Sequence, residues 1–222
     1  MKLISIRIPK TGSSTLGRYL EKSYRCYKSI EDPFDHPTYD CQSVLYRDRE
    51  QARSDFSRLM YDRPFLHRHW PVWVFNGLYS GVPRICFMRD PATWVISCYF
   101  YALALEHIRD SMGIFEYIEI DYRRNWQSWY MDGSIDNFDF IGFQETFEED
   151  LERLFRFLGR KLPSQQKPRN VSVDPVYHSV RKDLLQDKQF LRVVRKIFKQ
   201  DYELYREAWG KWKPTQPINI WS

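Results

Sequence analysis

Apolar residues along the chain form short runs, separated by stretches where they recur every three or four positions. This is the pattern of strands alternating with helices. Leu3-Ile4-Ser5-Ile6-Arg7-Ile8 is a β-branched run that reads as a buried strand. Pro9 ends it, having no N–H for a ladder, and Leu16, Tyr19 and Leu20 place a first helix over 13–24. Phe65 to Trp70 reads as a short strand reaching a loop, and Pro71 to Tyr79 as a brief helix stopped by Ser80-Gly81. Val82 to Met88 has the composition of a central strand, and a helix from about Ala92 to Ile108 follows it. Phe138 to Gly142 is the next strand. The helix after it is expected to start with a capping box from Thr146 and Glu149 and to bury Phe147, Leu151, Leu154, Phe155 and Leu158. Gly159 should close it, with outer-face pairs Glu149/Arg153 and Glu152/Arg156. Asp187 to Trp209 reads as one last long helix, and 210–222 as an aromatic tail.

The intervening segments are less regular. Residues 25–46 predict a long excursion, 47–60 a surface helix, 111–131 one or two helices crowded with rings, and 160–180 a loop around Pro163, Pro168 and Pro175. The alternation as a whole predicts an α/β fold, a central parallel sheet flanked by helices, in a single domain over 1–222. Ligands of such sheets lie beyond the carboxyl ends of the strands. Three segments rich in chemistry fall there and can share one cleft.

The first is the loop Lys10-Thr11-Gly12-Ser13-Ser14-Thr15, set between a strand and a helix N-terminus. Free N–H groups and the positive end of the helix dipole favour an anion there. Gly12 allows close backbone approach, four hydroxyls add donors, and Lys10 adds a point charge. It is not a Walker A loop, in which the Lys follows the last glycine. The plainer alternative is a polar cap cluster with no ligand. The second is Arg89-Asp90-Pro91 with Ser97 on the following helix. An Arg leaving a buried strand suits a phosphate, Pro91 suits a first helical turn, and Ser97 is either bonded back to the preceding turn or aimed at a ligand. The third is His67 and His69, which on a strand would share a face. They read as a general base with a supporting His, as ordinary partly buried histidines, or as two metal ligands lacking a third; no metal is expected.

Charge narrows the partners only mildly. A net charge of +5 and pI near 8.9 favour anionic ligands without the dense basic clustering of a nucleic-acid binder. No run is long enough to span a membrane, so no membrane insertion is expected. The first strand begins almost at Met1, which predicts a cytoplasmic location. Cys26, Cys41, Cys86 and Cys98 have neither metal nor disulfide-scaffold spacing.

The order P-K-T-G-S-S-T resembles the 5′-phosphosulfate loop of sulfotransferases that use 3′-phosphoadenosine-5′-phosphosulfate (PAPS). R-D-P followed by Ser97 is similar to their 3′-phosphate motif. The nearest likeness is to carbohydrate sulfotransferases of the heparan sulfate 2-O type, through RDPATWVISCYFY, FIGFQETFEEDLERL and the H-x-H element between the phosphate motifs. The resemblance covers about 3–20, 63–101 and 138–158. It implies a P-loop-like sulfotransferase fold with Lys10 to Thr15 on the phosphosulfate, Arg89 and Ser97 on the 3′-phosphate, and His69 as the base. Lys10 would take part in the chemistry as well as binding, and His67 would orient the base or the acceptor. A loop carrying Lys167, Arg169 and Ser172 matches more loosely the segment that folds over the nucleotide in relatives, and a solvated basic loop is the alternative. That family usually has a second Arg five residues after the first; Trp94 stands there, a departure that bears on a supporting salt bridge rather than on the phosphate contact the resemblance implies.

The expected function is therefore sulfuryl transfer from PAPS to an acceptor hydroxyl, with a saccharide as the expected acceptor. A small-molecule kinase would share the anion loop but would need a Walker-type Lys and an acidic Mg²⁺ ligand. A non-catalytic binder of nucleotides or sulfated glycans would keep the basic cleft but have no use for a base.

Overall fold

The computed structural model describes residues 3–24, 66–77, 79–120, 124–164 and 175–216. The expected excursion over 25–46, the helix over 47–60 and Arg169 with its loop lie outside these residues.

Four parallel strands make the sheet: β1 (Ile4–Ile6), β2 (Leu66–Arg68), β3 (Arg84–Met88) and β4 (Phe140–Phe143), in the order β2-β1-β3-β4. Ile4 is opposite Leu66 on one side and Arg84 on the other, and Met88 is opposite Phe143. Because β2 lies on the outer side of β1 and β4 on the outer side of β3, the chain leaves β1 and β3 in opposite directions. That divergence opens a crevice at their carboxyl ends, the usual ligand position in such sheets.

Helices are α1 (Ser13–Tyr24), α2 (Pro91–Ala104), α3 (Ile114–Ile120), α4 (Trp126–Tyr130), α5 (Phe147–Phe157), α6 (Pro175–Leu184), α7 (Lys188–Ile197) and α8 (Lys199–Trp212), with 3₁₀ turns at Val72–Phe75, Ile135–Asn137 and Gln144–Thr146. Strand residues alternate between two buried faces, which is why the strands read as unbroken apolar runs. Leu3, Ile85, Phe87 and Phe140 pack under α1 and α5 against Leu16, Leu20, Leu154 and Phe155. Ile4, Ile6, Met88, Ile141 and Phe143 face the opposite layer, where Phe75, Tyr205 and Trp209 close the core. A third cluster joins α2 to α3, α6 and α7 around Trp94, Ile118, Phe190 and Phe198.

Several local expectations change. The long terminal helix is two, broken at Phe198 (φ −103°, ψ 35°), whose ring is buried against Trp94. Burying that ring outweighs the continuous helical periodicity of the segment. Pro175 opens α6 instead of extending a loop, since its fixed φ suits a first helical position. The helix after β3 stops at Ala104 instead of Ile108, and the terminal one runs on to Trp212, into the expected tail. The capping box does not form. Thr146 Oγ1 donates to Asp150 Oδ2 at 2.7 Å, and Glu149 accepts from Lys213 at 2.8 Å. Arg153 pairs with Asp150 instead of Glu149, because the buried carboxylate is the stronger partner. Gly159 does end α5 with φ +62°, the Arg160 N–H reaching the Phe155 carbonyl.

Candidate active site

Lys10 and Gly12 both take left-handed φ, +63° and +79°, between residues of ordinary hand. Such alternation curls successive N–H groups into an anion-binding concavity. A β-carbon on Gly12 would stand 2.1 Å from Gln144 Oε1 and 2.9 Å from the Phe147 ring, so both conformation and space demand glycine. Of the first-turn N–H groups of α1, those of Thr15 and Leu16 donate to the Gly12 carbonyl, and those of Ser13 and Ser14 precede the helix's own bonds.

The carbonyls of this loop are held from outside. Thr11 Oγ1 donates to the Ile8 carbonyl at 2.9 Å, and the Trp94 indole N–H to the Pro9 carbonyl at 2.8 Å. Arg89 Nη1 donates to the Lys10 carbonyl at 3.1 Å, and the N–H groups of Thr15 and Leu16 to the Gly12 carbonyl. In a trans peptide the carbonyl and the next N–H point opposite ways. The N–H that follows each held carbonyl therefore points away from the group that holds it.

Arg89 is buried to 9% exposure at the end of β3. Its Nε donates to Thr93 Oγ1, and its backbone N–H and C=O are both bonded by the fully buried Gln127 carboxamide at 2.9 and 2.8 Å. Gln127 thus extends the edge of the strand by one more pair. Gln127 is itself placed by Asp201, whose carboxylate accepts from Ser128 N–H at 2.7 Å and caps α4 from α8. Burial pushes Asp201 up to about 6.

Ser97 is half-buried and lies on α2 between Trp94, which bonds Pro9, and Tyr101, whose ring centroid is 4.0 Å from Lys10 Nζ. That helix face therefore looks onto the loop. Ser14 Oγ accepts from Arg7, and Ser13 and Thr15 are buried. His67 lies in β2 with Nδ1 2.8 Å from Ser5 Oγ and Nε2 2.8 Å from the Ser13 carbonyl. His69 follows the end of β2 in a bend and is partly exposed. The two histidines therefore do not sit on one strand face; the strand ends between them.

Behind Arg89, Asp90 caps α2 by accepting from Thr93 N–H at 3.0 Å. Burial pushes its carboxyl up to about 7, with Glu145 adding to the effect. Glu145 accepts from Asp90 N–H at 2.9 Å and from the Tyr205 hydroxyl at 3.1 Å.

Residues 1–206 match the Sulfotransferase family. The chain belongs to that family. As a sulfotransferase, it moves a sulfuryl group to an acceptor. No curated protein matches the sequence. A solved sulfotransferase from Alicyclobacillus acidocaldarius aligns with TM-score 0.44 and 15% identity, covering 93% of this chain and 99% of that one. The family assignment rests on the sequence match instead of that superposition.

Sequence reasoning missed Gln127, Thr93, Glu145 and Gln144, which surround the loop and Arg89. A glutamine inside the aromatic stretch 111–131 was the available signal, since a polar residue in an apolar run needs partners when buried. Trp94, where the resemblance leads one to expect a second Arg, donates its indole N–H to the Pro9 carbonyl of the loop. No helix among the described residues is long and apolar enough to cross a membrane.

Proposed function

We propose that this sulfotransferase transfers the sulfuryl group of PAPS to a saccharide hydroxyl. The observation that carries the reading is the meeting of the Lys10–Thr15 loop with Arg89, 3.1 Å apart at the β1/β3 crevice. Two cationic groups beside the N-terminus of α1 suit a ligand with two separated phosphate groups. Arg89 and Ser97 are assigned to the 3′-phosphate. Lys10, Thr11, Gly12, Ser13, Ser14 and Thr15 are assigned to the phosphosulfate, with the Thr11 hydroxyl serving the loop's own shape. Arg169, outside the described residues, is assigned to nucleotide binding.

PAPS supplies an activated sulfuryl group whose departure leaves negative charge on a phosphate oxygen. Lys10 and the loop N–H groups stabilise that charge. His69 takes the acceptor proton at a ring nitrogen, because an imidazole is largely neutral near pH 7. The likeness to heparan sulfate 2-O-type enzymes favours a sugar acceptor. Radiolabelled PAPS offered with a panel of saccharides, phenols and steroids tests the proposal. Label should appear in a saccharide product. Transfer only to phenols or steroids would overturn the acceptor class, and transfer from no PAPS mixture would overturn the donor.

A further inference from the structure

We propose that His67 is a positioning residue for the anion loop, holding the first turn of α1 to the sheet, and is not a group that handles the acceptor proton. The proposal rests on the PAPS reading above, and deepens it by giving this histidine a place in donor binding.

Both ring nitrogens are committed. The Ser13 carbonyl can only accept, so Nε2 carries the hydrogen in the 2.8 Å contact. Nδ1 of the neutral ring is then left to accept from the Ser5 hydroxyl, also at 2.8 Å. Nε2 already carries a hydrogen and the lone pair of Nδ1 is taken by Ser5, so neither nitrogen is open to a substrate proton while these bonds stand. The two contacts join three elements: Ser5 in β1, His67 in β2, and Ser13, the first residue of α1 and part of the anion loop. Ser5 and His67 are direct neighbours in the sheet register, so the ring leans from the sheet onto the helix start.

Gly17 gives independent support. It sits inside α1, where glycine is an unfavourable choice. A β-carbon there would stand 2.9 Å from His67 Cδ2 and 3.1 Å from Nε2. The imidazole occupies the space that every other residue would fill. The helix gives up a better helix former to let the ring reach Ser13, one turn earlier.

On the other flank, Arg89 and Trp94 grip the carbonyls of Lys10 and Pro9. His67 grips that of Ser13. The loop is therefore clamped at both ends by donors to its carbonyls, with the N–H groups of Thr15 and Leu16 closing on the Gly12 carbonyl between them.

The test uses the full chain and 3′-phosphoadenosine-5′-phosphate, the desulfonated donor, as probe. His67→Leu removes both bonds, His67→Gln can restore a donor and an acceptor, and Gly17→Ala displaces the ring while leaving it in the sequence. Calorimetry should show the probe bound about ten- to a hundredfold more weakly by His67→Leu and Gly17→Ala, with His67→Gln recovering most of the loss. Turnover of His67→Gln at saturating donor should recover in step with its affinity for the probe, relative to His67→Leu. Amide hydrogen exchange, read without ligand, should quicken at Thr15 and Leu16 in His67→Leu and Gly17→Ala. If His67→Leu does not fold, Gly17→Ala decides, because alanine is the better helix former and any loosening is then due to the ring. The proposal is overturned if probe affinity and exchange are unchanged in these two variants. It is equally overturned if His67→Gln binds the probe normally yet loses about 10²–10⁴ in turnover, the loss of a working base. Should the parent chain itself fail to bind the probe, the PAPS reading falls, and the exchange comparison still decides whether His67 holds the loop.

Discussion

Asp90 and Asp150 are both fully buried and both stand where a strand hands over to a helix, yet they are treated in opposite ways. Asp150 is saturated. It accepts from Phe143 N–H at 2.9 Å, Thr146 Oγ1 at 2.7 Å, Arg153 Nη1 at 2.5 Å and Lys213 Nζ at 2.9 Å. Lys213, with only 2% of its side chain exposed, brings the end of α8 against the start of α5. Asp90 accepts from Thr93 through Oδ1, while Oδ2 is buried with no partner among the described residues. Its carboxyl is accordingly pushed up to about 7. A buried charge with every lone pair filled fixes a fold. One left half-filled beside Arg89 lies next to a site where charge arrives and departs. The molecule thus separates a saturated latch from an unsaturated site, and substitutions on the two sides should fail differently.

The largest effects belong to the site. Lys10→Ala should lower turnover by about 10²–10³, as expected for loss of a donor to developing charge, and weaken donor binding too. His69→Ala should lose about 10²–10⁴ while still binding the desulfonated donor. Neither should move the melting temperature by more than a degree or two, because both side chains are partly exposed. Near-normal turnover in Lys10→Ala would refute the loop assignment, and full activity in His69→Ala would remove that base. Arg89→Ala sharpens the same point. It should weaken 3′-phosphorylated nucleotide far more than the analogue lacking that phosphate, and equal weakening of both would make Arg89 structural.

On the latch side, Asp150→Ala leaves Lys213 buried without its inner partner. Breaking a buried pair in this way costs about 3–5 kcal/mol, so denaturant unfolding should shift by that amount. Whatever fraction stays folded should bind the desulfonated donor normally. Selective loss of binding with unchanged stability would contradict the division between latch and site.

Asp90 gives the pH test. Its carboxyl titrates near 7 when folded against 3.8 for the ordinary group. Between those values the folded chain holds a proton that the unfolded chain has released, so stability falls as pH rises from about 4 to 7. The full effect is on the order of 4 kcal/mol. Asp201, pushed up to about 6, slopes the same way. Asp90→Asn keeps a good cap without the titration. It should match the parent near pH 4 and become progressively more stable than it toward pH 8. A difference in melting temperature that stays flat across this range would show that Asp90 ionisation is not linked to folding.

Much of the site was readable in the chain because strand ends and helix starts are local signals. The run to Ile8 with Pro9 behind it placed β1, the small-residue loop placed the anion site, and Arg89 fell at the end of β3. What was not readable depends on contacts distant in sequence. Gln127 reaches Arg89 across 38 positions and Asp201 reaches Ser128 across 73. No periodicity announces either. The break at Phe198 has no glycine or proline to mark it and follows from burial against Trp94. The failed capping box shows the same thing on a smaller scale, since Lys213 claimed Glu149 from 64 positions away.

The smallest prediction tests how the loop is anchored without a second arginine. Trp94 is fully buried, and its indole N–H to the Pro9 carbonyl runs beside the Arg89 bond to Lys10. Trp94→Phe keeps an aromatic ring against Phe198 but removes the donor. Losing one such bond with its acceptor left part-buried costs about 1–2 kcal/mol, so the melting temperature should fall by a few degrees. Pro9 and Lys10 are adjacent, and the Arg89 grip remains. Donor affinity should therefore drop only about two- to tenfold, with turnover at saturation little changed. Calorimetry with the desulfonated donor, set beside steady-state kinetics, reads both quantities. An affinity loss as large as that of Arg89→Ala would make the indole the principal anchor of the loop. No change in affinity together with lost stability would assign Trp94 to the α2 core alone.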